Sequence, residues 1–299
     1  MNTIDSTHLT FDFFLNEKID LSKDINLTHL TLGDSFNQEI DLSNNINLTH
    51  LTFGHFFNKK IDLSNNINLI HLFLGCCFNQ KIYLSNNINL THLTFDNSFN
   101  QKIDLSNNIE LTHLTFDNSF NQKIDLSNNI KLTHLTFPYC FNKKIDLSNN
   151  INLTHLTFGC NFNQKIDLSK NINLFHLTFG EDFIKEIKIP LNVKSLMMYF
   201  CNNQYIIDTL HNNIEELEIY NTNLNLDNLP NSIKKIYIKY YKKEINNLPN
   251  SIEYLELIDY NLKIKKFPKK LKTIKCNEYY KYIDDFKDYE VIYYPSFDF

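Results

Sequence analysis

Nine histidines, His8, His29, His50, His71, His92, His113, His134, His155 and His176, recur every 21 residues without a slip. Equivalent residues on neighbouring parallel strands stand about 4.8 Å apart. The spacing therefore predicts a file of imidazoles that could share a metal ion or titrate together as a pH-sensitive strip. The competing reading is a solvent-facing column copied by duplication. No acid or cysteine shares the column, so a tetrahedral ligand set lacks its remaining members. No metal or other cofactor is assigned.

A second column pairs Lys60 with Asp62, Lys102 with Asp104, Lys123 with Asp125, Lys144 with Asp146 and Lys165 with Asp167. Paired carboxylates can hydrolyse glycosides, but identical copies in every unit define no single centre where reacting groups converge. The aspartates are expected to be offset by the adjacent lysines, and no catalytic residue is assigned. Thr52 and its equivalents make a threonine column, but the bulky histidine beside each spoils a flat ice-binding array. The six cysteines, Cys76, Cys77, Cys140, Cys160, Cys201 and Cys276, show no CxxC spacing and are expected as thiols. The Asn-Leu-Thr triplets at Asn26, Asn47, Asn89 and Asn152 match glycosylation sequons that are incidental without a secretory signal.

What copies cannot carry, variation can. The three positions after each expected strand differ between units, reading GHF at 54–56, GCC at 75–77, PYC at 138–140 and GED at 180–182. Repeat proteins place recognition on such a loop rim. His55, Phe56, Tyr139, Glu181 and Asp182 are the partner-binding candidates, against the alternative of neutral drift at exposed tips.

The elements that position these residues follow from the period. Within one unit Leu48, Leu51 and Phe53 give LxxLxF, whose end alternates outward His50, inward Leu51, outward Thr52 and inward Phe53, a short strand. Phe57, Ile61, Leu63 and Ile67 are expected to complete an inward set of seven. Asn58, Asn65 and Asn66 are expected at corners, bonding from coil to coil. A fixed period near 20 residues predicts a leucine-rich-repeat-like β-solenoid with right-handed coils and a continuous parallel sheet on one face. After Phe183 the pattern loosens: Val193, Ile214, Ile233, Ile252 and Leu271 are separated by 21, 19, 19 and 19 residues. The expected organisation is regular repeats over 1–190, divergent repeats over 191–275 and a C-terminal cap or tail over 276–299.

The strings FNQKI and LPNSI with the LxxLxL strand resemble the FNIP repeat, found chiefly in amoebae and in the large DNA viruses that infect them. The resemblance covers roughly residues 8–275, with Lys60, Lys81 and Lys102 standing where that motif expects proline. It implies a solenoid that binds proteins and, by way of family members with an F-box, substrate recruitment for ubiquitin ligases. Only seven residues precede the first HLTF here, so no F-box is expected.

Composition narrows the classes further. The 299 residues carry a net charge of -5, with 29 lysines, 34 acids and no arginine. The bidentate reader of phosphate and guanine is thus missing, and no basic stripe is present. Nucleic acid is not an expected partner, nor is a membrane, because no apolar run approaches a spanning helix. A cytoplasmic, non-enzymatic interaction scaffold is expected, with a self-assembling structural protein, joined through the N-terminal edge strand, as the alternative.

Overall fold

The computed structural model describes residues 3–5 and 7–294, which fall into two compact units meeting in sequence at Gly159 and Cys160. Among the described residues the first unit contains β1 (Thr3–Asp5), β2 (His8–Thr10), β3 (His29–Thr31), β4 (His50–Thr52), β5 (His71–Leu74), β6 (His92–Phe95), β7 (His113–Phe116), β8 (His134–Thr136) and β9 (His155–Thr157). From β2 onward each strand pairs in parallel with the next, histidine against histidine and leucine against leucine. The start differs: β1 runs antiparallel to β2, with Thr3 opposite Thr10 and Asp5 opposite His8. Ser6, which by the 21-residue period stands where later units carry Leu27 and Leu48, lies outside the described residues.

A coil folds because its apolar positions share one interior. Leu48, Leu51, Phe53, Phe57 and Leu63 are all essentially inaccessible to solvent. Phe53 stacks on Phe57 within its coil at 4.0 Å between ring centroids, and Phe57 stacks on Phe78 of the next at 6.0 Å. Phe36, Phe57, Phe78, Phe99 and Phe120, 21 residues apart, stack in this way as a phenylalanine column, an aromatic spine. Large side chains in such a row bury much area and tie each coil to its neighbours.

The corner reverses one expectation. Ile67 does not point inward; it is half exposed, as are Ile46, Ile88, Ile109 and Ile130. The inward slot belongs to the preceding residue, Asn66, which is fully buried. Its Nδ2 donates to the carbonyls of Leu42, at 3.0 Å, and Asn45, at 2.9 Å, in the coil before. A tight turn follows, in which the Leu69 N–H donates to the Asn66 carbonyl. An isoleucine in that slot would leave the two carbonyls without this donor, so the amide goes in and the isoleucine goes out. The corner begins with Asp62, whose Oδ1 accepts the Ser64 N–H at 2.9 Å. That bond first, with the Ser64 hydroxyl second, holds the Asp62 carboxyl below its usual range. The aspartate column is therefore built for turns, where pairing with lysine was expected.

The second unit contains β10 (His176–Phe179), β11 (Ser195–Tyr199), the short helix α1 (Gln204–Asp208), β12 (Glu216–Tyr220), β13 (Lys235–Lys239), β14 (Tyr254–Ile258), β15 (Thr273–Cys276), a 3₁₀ turn at Ile283–Phe286 and β16 (Glu290–Tyr293). Its strands also pair in parallel. Here Pro230 and Pro249 occupy the turn that Asn66 makes in the first unit, with Ile233 and Ile252 donating to their carbonyls. Proline has no side-chain donor to reach back to the previous coil, and serine two residues on ties the coils through a different carbonyl: Ser232 Oγ donates to the Ile214 carbonyl and Ser251 Oγ to that of Ile233, both at 2.7 Å. At the end, β16 adds to β15, and buried Phe286 stacks on Tyr280 at 4.9 Å.

Candidate functional site

Two surfaces carry the residues singled out by sequence. On the strand face, the expected file of histidines exists: the rings of His92 and His113, His113 and His134, and His134 and His155 stack at 4.2, 4.3 and 4.3 Å, each pair within 10° of parallel. The preceding threonine sets each ring. Thr112 Oγ1 lies 3.1 Å from the Thr91 carbonyl and 2.9 Å from His113 Nδ1. A hydroxyl has one proton. Donated to the carbonyl, that proton leaves Nδ1–H as the donor to the hydroxyl oxygen, so the neutral form of the ring keeps its lone pair on Nε2.

His71 supplies the contrast. Ile70 stands before it in place of threonine, and its ring lies 82° from that of His50 and 70° from that of His92. Desolvation, and then repulsion between neighbouring imidazolium charges, lowers the pKa of His29, His50, His113 and His134, and of His92 to about 4. These five imidazoles are therefore uncharged at neutral pH.

The second surface is the rim after the strands. All five sequence candidates, His55, Phe56, Tyr139, Glu181 and Asp182, are exposed there. A backbone ladder fixes their loops from coil to coil: Phe56 N–H donates to the Asp34 carbonyl at 2.9 Å, Cys77 to His55 at 2.8 Å, Ser98 to Cys76 at 2.9 Å and Cys140 to Asn118 at 2.9 Å. Their side chains thus vary on a fixed frame. His55 and Phe56 come together, their ring centroids 4.6 Å apart at 78°. Tyr139 sits in the same column as His55 four coils on, about 19 Å away at strand spacing. Glu181 and Asp182 belong to the second unit, where Asp182 N–H donates to the Cys160 carbonyl at 2.8 Å.

The structure also brings Cys76 and Cys77 to His55, with one ligand atom from each lying within 4.8 Å of the others. From the sequence these thiols are expected beside His55 and Phe56 as further contact residues, with no metal site assigned to them. The signal was the period itself, since one 21-residue step from position 55 lands on Cys76. Burial first, and then Cys76, raises the pKa of the Cys77 thiol. All six cysteines are unpaired.

Stacked parallel strands, inward leucines and buried corner asparagines define a leucine-rich-repeat-type solenoid. Within it, residues 220–260 match the FNIP Repeat family, the family that the sequence resembles, and the match falls on the coils with proline at the turn. Among solved structures the chain is similar to CroV588, described as a novel circular LRR protein, at 33% identity and a TM-score of 0.60, covering 86% of this chain and 44% of that one. The present chain thus spans under half of that protein's length. The functional domain of InlJ from Listeria monocytogenes follows at 21% identity and a TM-score of 0.55, covering 87% of this chain and 61% of that one. An LRR protein of Leptospira interrogans, LIC12759, shares the fold at 14% identity and a TM-score of 0.56, with 95% of each chain covered. No curated protein matches the chain.

Proposed function

We propose that this chain is a non-enzymatic scaffold that holds another protein against its loop rim. The observation that carries this reading is the rim itself, where a coil-to-coil backbone ladder fixes loops whose side chains differ, presenting half-exposed Phe56 and Tyr139. Aromatic side chains on a rigid frame supply contact area at small entropic cost. Leucine-rich-repeat solenoids generally bind proteins, and the two compact units here are built of the same kind of stacked coil. The FNIP resemblance supports a finer role, recruiting or sequestering substrates of a ubiquitin ligase through a separate adaptor. A cytoplasmic setting suits that role, and no helix among the described residues is long and apolar enough to cross a membrane.

Affinity capture from the native cell tests the reading, with the wild-type chain and a Phe56→Ala/Tyr139→Ala variant as parallel baits. A protein retained by the first and lost by the second supports rim binding; a set of partners indifferent to both substitutions refutes it. Self-assembly, the alternative, would have to use β1 as its N-terminal edge, because β1 already bonds to β2. A mass in solution that grows with concentration would favour that alternative over the scaffold.

A further inference from the structure

The rim of the third and fourth coils holds a group of side chains that a protein-binding surface does not require. Gly54-His55-Phe56 is followed 21 residues later by Gly75-Cys76-Cys77. The two loops are pressed together by their glycines: a Cβ on Gly75 would lie 2.1 Å from the Gly54 carbonyl oxygen, so no larger residue fits this backbone. The bond from Cys77 N–H to the His55 carbonyl, at 2.8 Å, locks their register. One imidazole nitrogen and two thiols consequently stand within 4.8 Å of one another. Around a tetrahedral ion, two thiolates at ordinary zinc–sulfur bond lengths are about 3.8 Å apart. Side-chain rotation at these accessible tips is enough to close the remainder.

We propose that His55, Cys76 and Cys77 form a three-ligand zinc site with its fourth position open to solvent. Two thiolates and a neutral imidazole are a donor set suited to a thiophilic or borderline divalent cation, and the two thiolate charges balance the ion's. On binding, each thiol gives up its proton to solvent and nothing is oxidised or reduced. The surroundings fit. Asn97 Nδ2 lies 3.0 Å from Cys76 Sγ, an outer-shell donor to the sulfur. The Phe56 ring packs edge-on against His55. The site goes beyond the scaffold reading, since an ion would clamp two adjacent rim loops whether or not a partner binds there.

The test is a Co²⁺ titration of the full-length, metal-stripped chain under reductant, followed by competition with Zn²⁺. The expected result is one ion per chain, with a thiolate-to-cobalt charge-transfer band and tetrahedral visible bands that zinc removes. Cys76→Ser and Cys77→Ser should each weaken binding by at least about 100-fold and His55→Ala by at least about 10-fold, while Cys140→Ser leaves it unchanged. Circular dichroism of each variant shows whether the solenoid is intact. Absence of the charge-transfer band overturns the proposal. So does a cobalt signal that survives Cys76→Ser/Cys77→Ser, which would place the ion on the histidine file, or a Cys76–Cys77 disulfide that persists under reductant.

Discussion

Asn108 offers the sharpest test of what holds the coils together. It is fully buried, and its Nδ2 donates to the Leu84 carbonyl at 3.0 Å and the Asn87 carbonyl at 2.9 Å. Each of those carbonyls also accepts a backbone N–H, from Asn87 and Leu90 respectively, so Asn108→Ala removes two second bonds and leaves neither oxygen without a donor. Two such bonds contribute about 2 kcal/mol, and the void left by the amide costs about 1 kcal/mol more. Against this, Asn108 Oδ1 is buried with no hydrogen-bond partner, and its removal relieves about 1 kcal/mol. The net expectation is a loss of about 2 kcal/mol. Asn108→Asp should do worse, about 4 kcal/mol, because it replaces the donor with a buried carboxylate facing two carbonyl oxygens. Urea unfolding followed by circular dichroism measures both, with amide hydrogen exchange at coils four to six locating the loss. A cost below about 0.5 kcal/mol for alanine, or an aspartate variant no worse than alanine, would refute the ladder.

Acid should loosen the first unit. The pKa of His92 lies at about 4 in the folded chain against 6.5 for an unperturbed histidine, so the unfolded chain binds the extra proton first. The contribution is complete above pH 6.5 and is lost as pH falls towards 4. For His92 it amounts to about 1.5 kcal/mol after solvent screening, read as a falling urea midpoint between these pH values. Thr112→Val should free the His113 ring from its parallel stack, and Ile70→Thr should align His71 with its neighbours; the His71 and His113 ring resonances in NMR report both. Gly75→Ala should cost about 2 kcal/mol or more by forcing two rim loops apart, seen as lost amide-exchange protection at Cys77.

Much of this architecture is written plainly in the sequence because a copied residue reports a copied environment. The LxxLxF alternation and the phenylalanine column translate directly into strands and an aromatic spine. The corner is less legible. SNNINL presents Asn65, Asn66 and Ile67 in a row, and hydropathy alone sends the isoleucine inward, whereas two backbone carbonyls need a donor and the burial goes to Asn66. The aspartate column misled for a related reason, since Asp62 has its own Ser64 N–H two residues away and a lysine side chain must compete with that local bond. At the rim, the exposure of His55, Phe56, Tyr139, Glu181 and Asp182 could be read from loop position. The meeting of His55 with Cys76 and Cys77 required placing one coil upon the next, a step from period to space that a search for CxxC spacing never takes.

The claim that matters most is that recognition lives on the rim and the strand face serves the fold. A photo-reactive amino acid placed at Tyr139 in one chain and at Thr115 on the β7 strand face in another, expressed in the native cell and irradiated, tests it directly. The account predicts a discrete covalent adduct with a partner protein from position 139 and none from position 115. An adduct from position 115 with none from position 139 would contradict it.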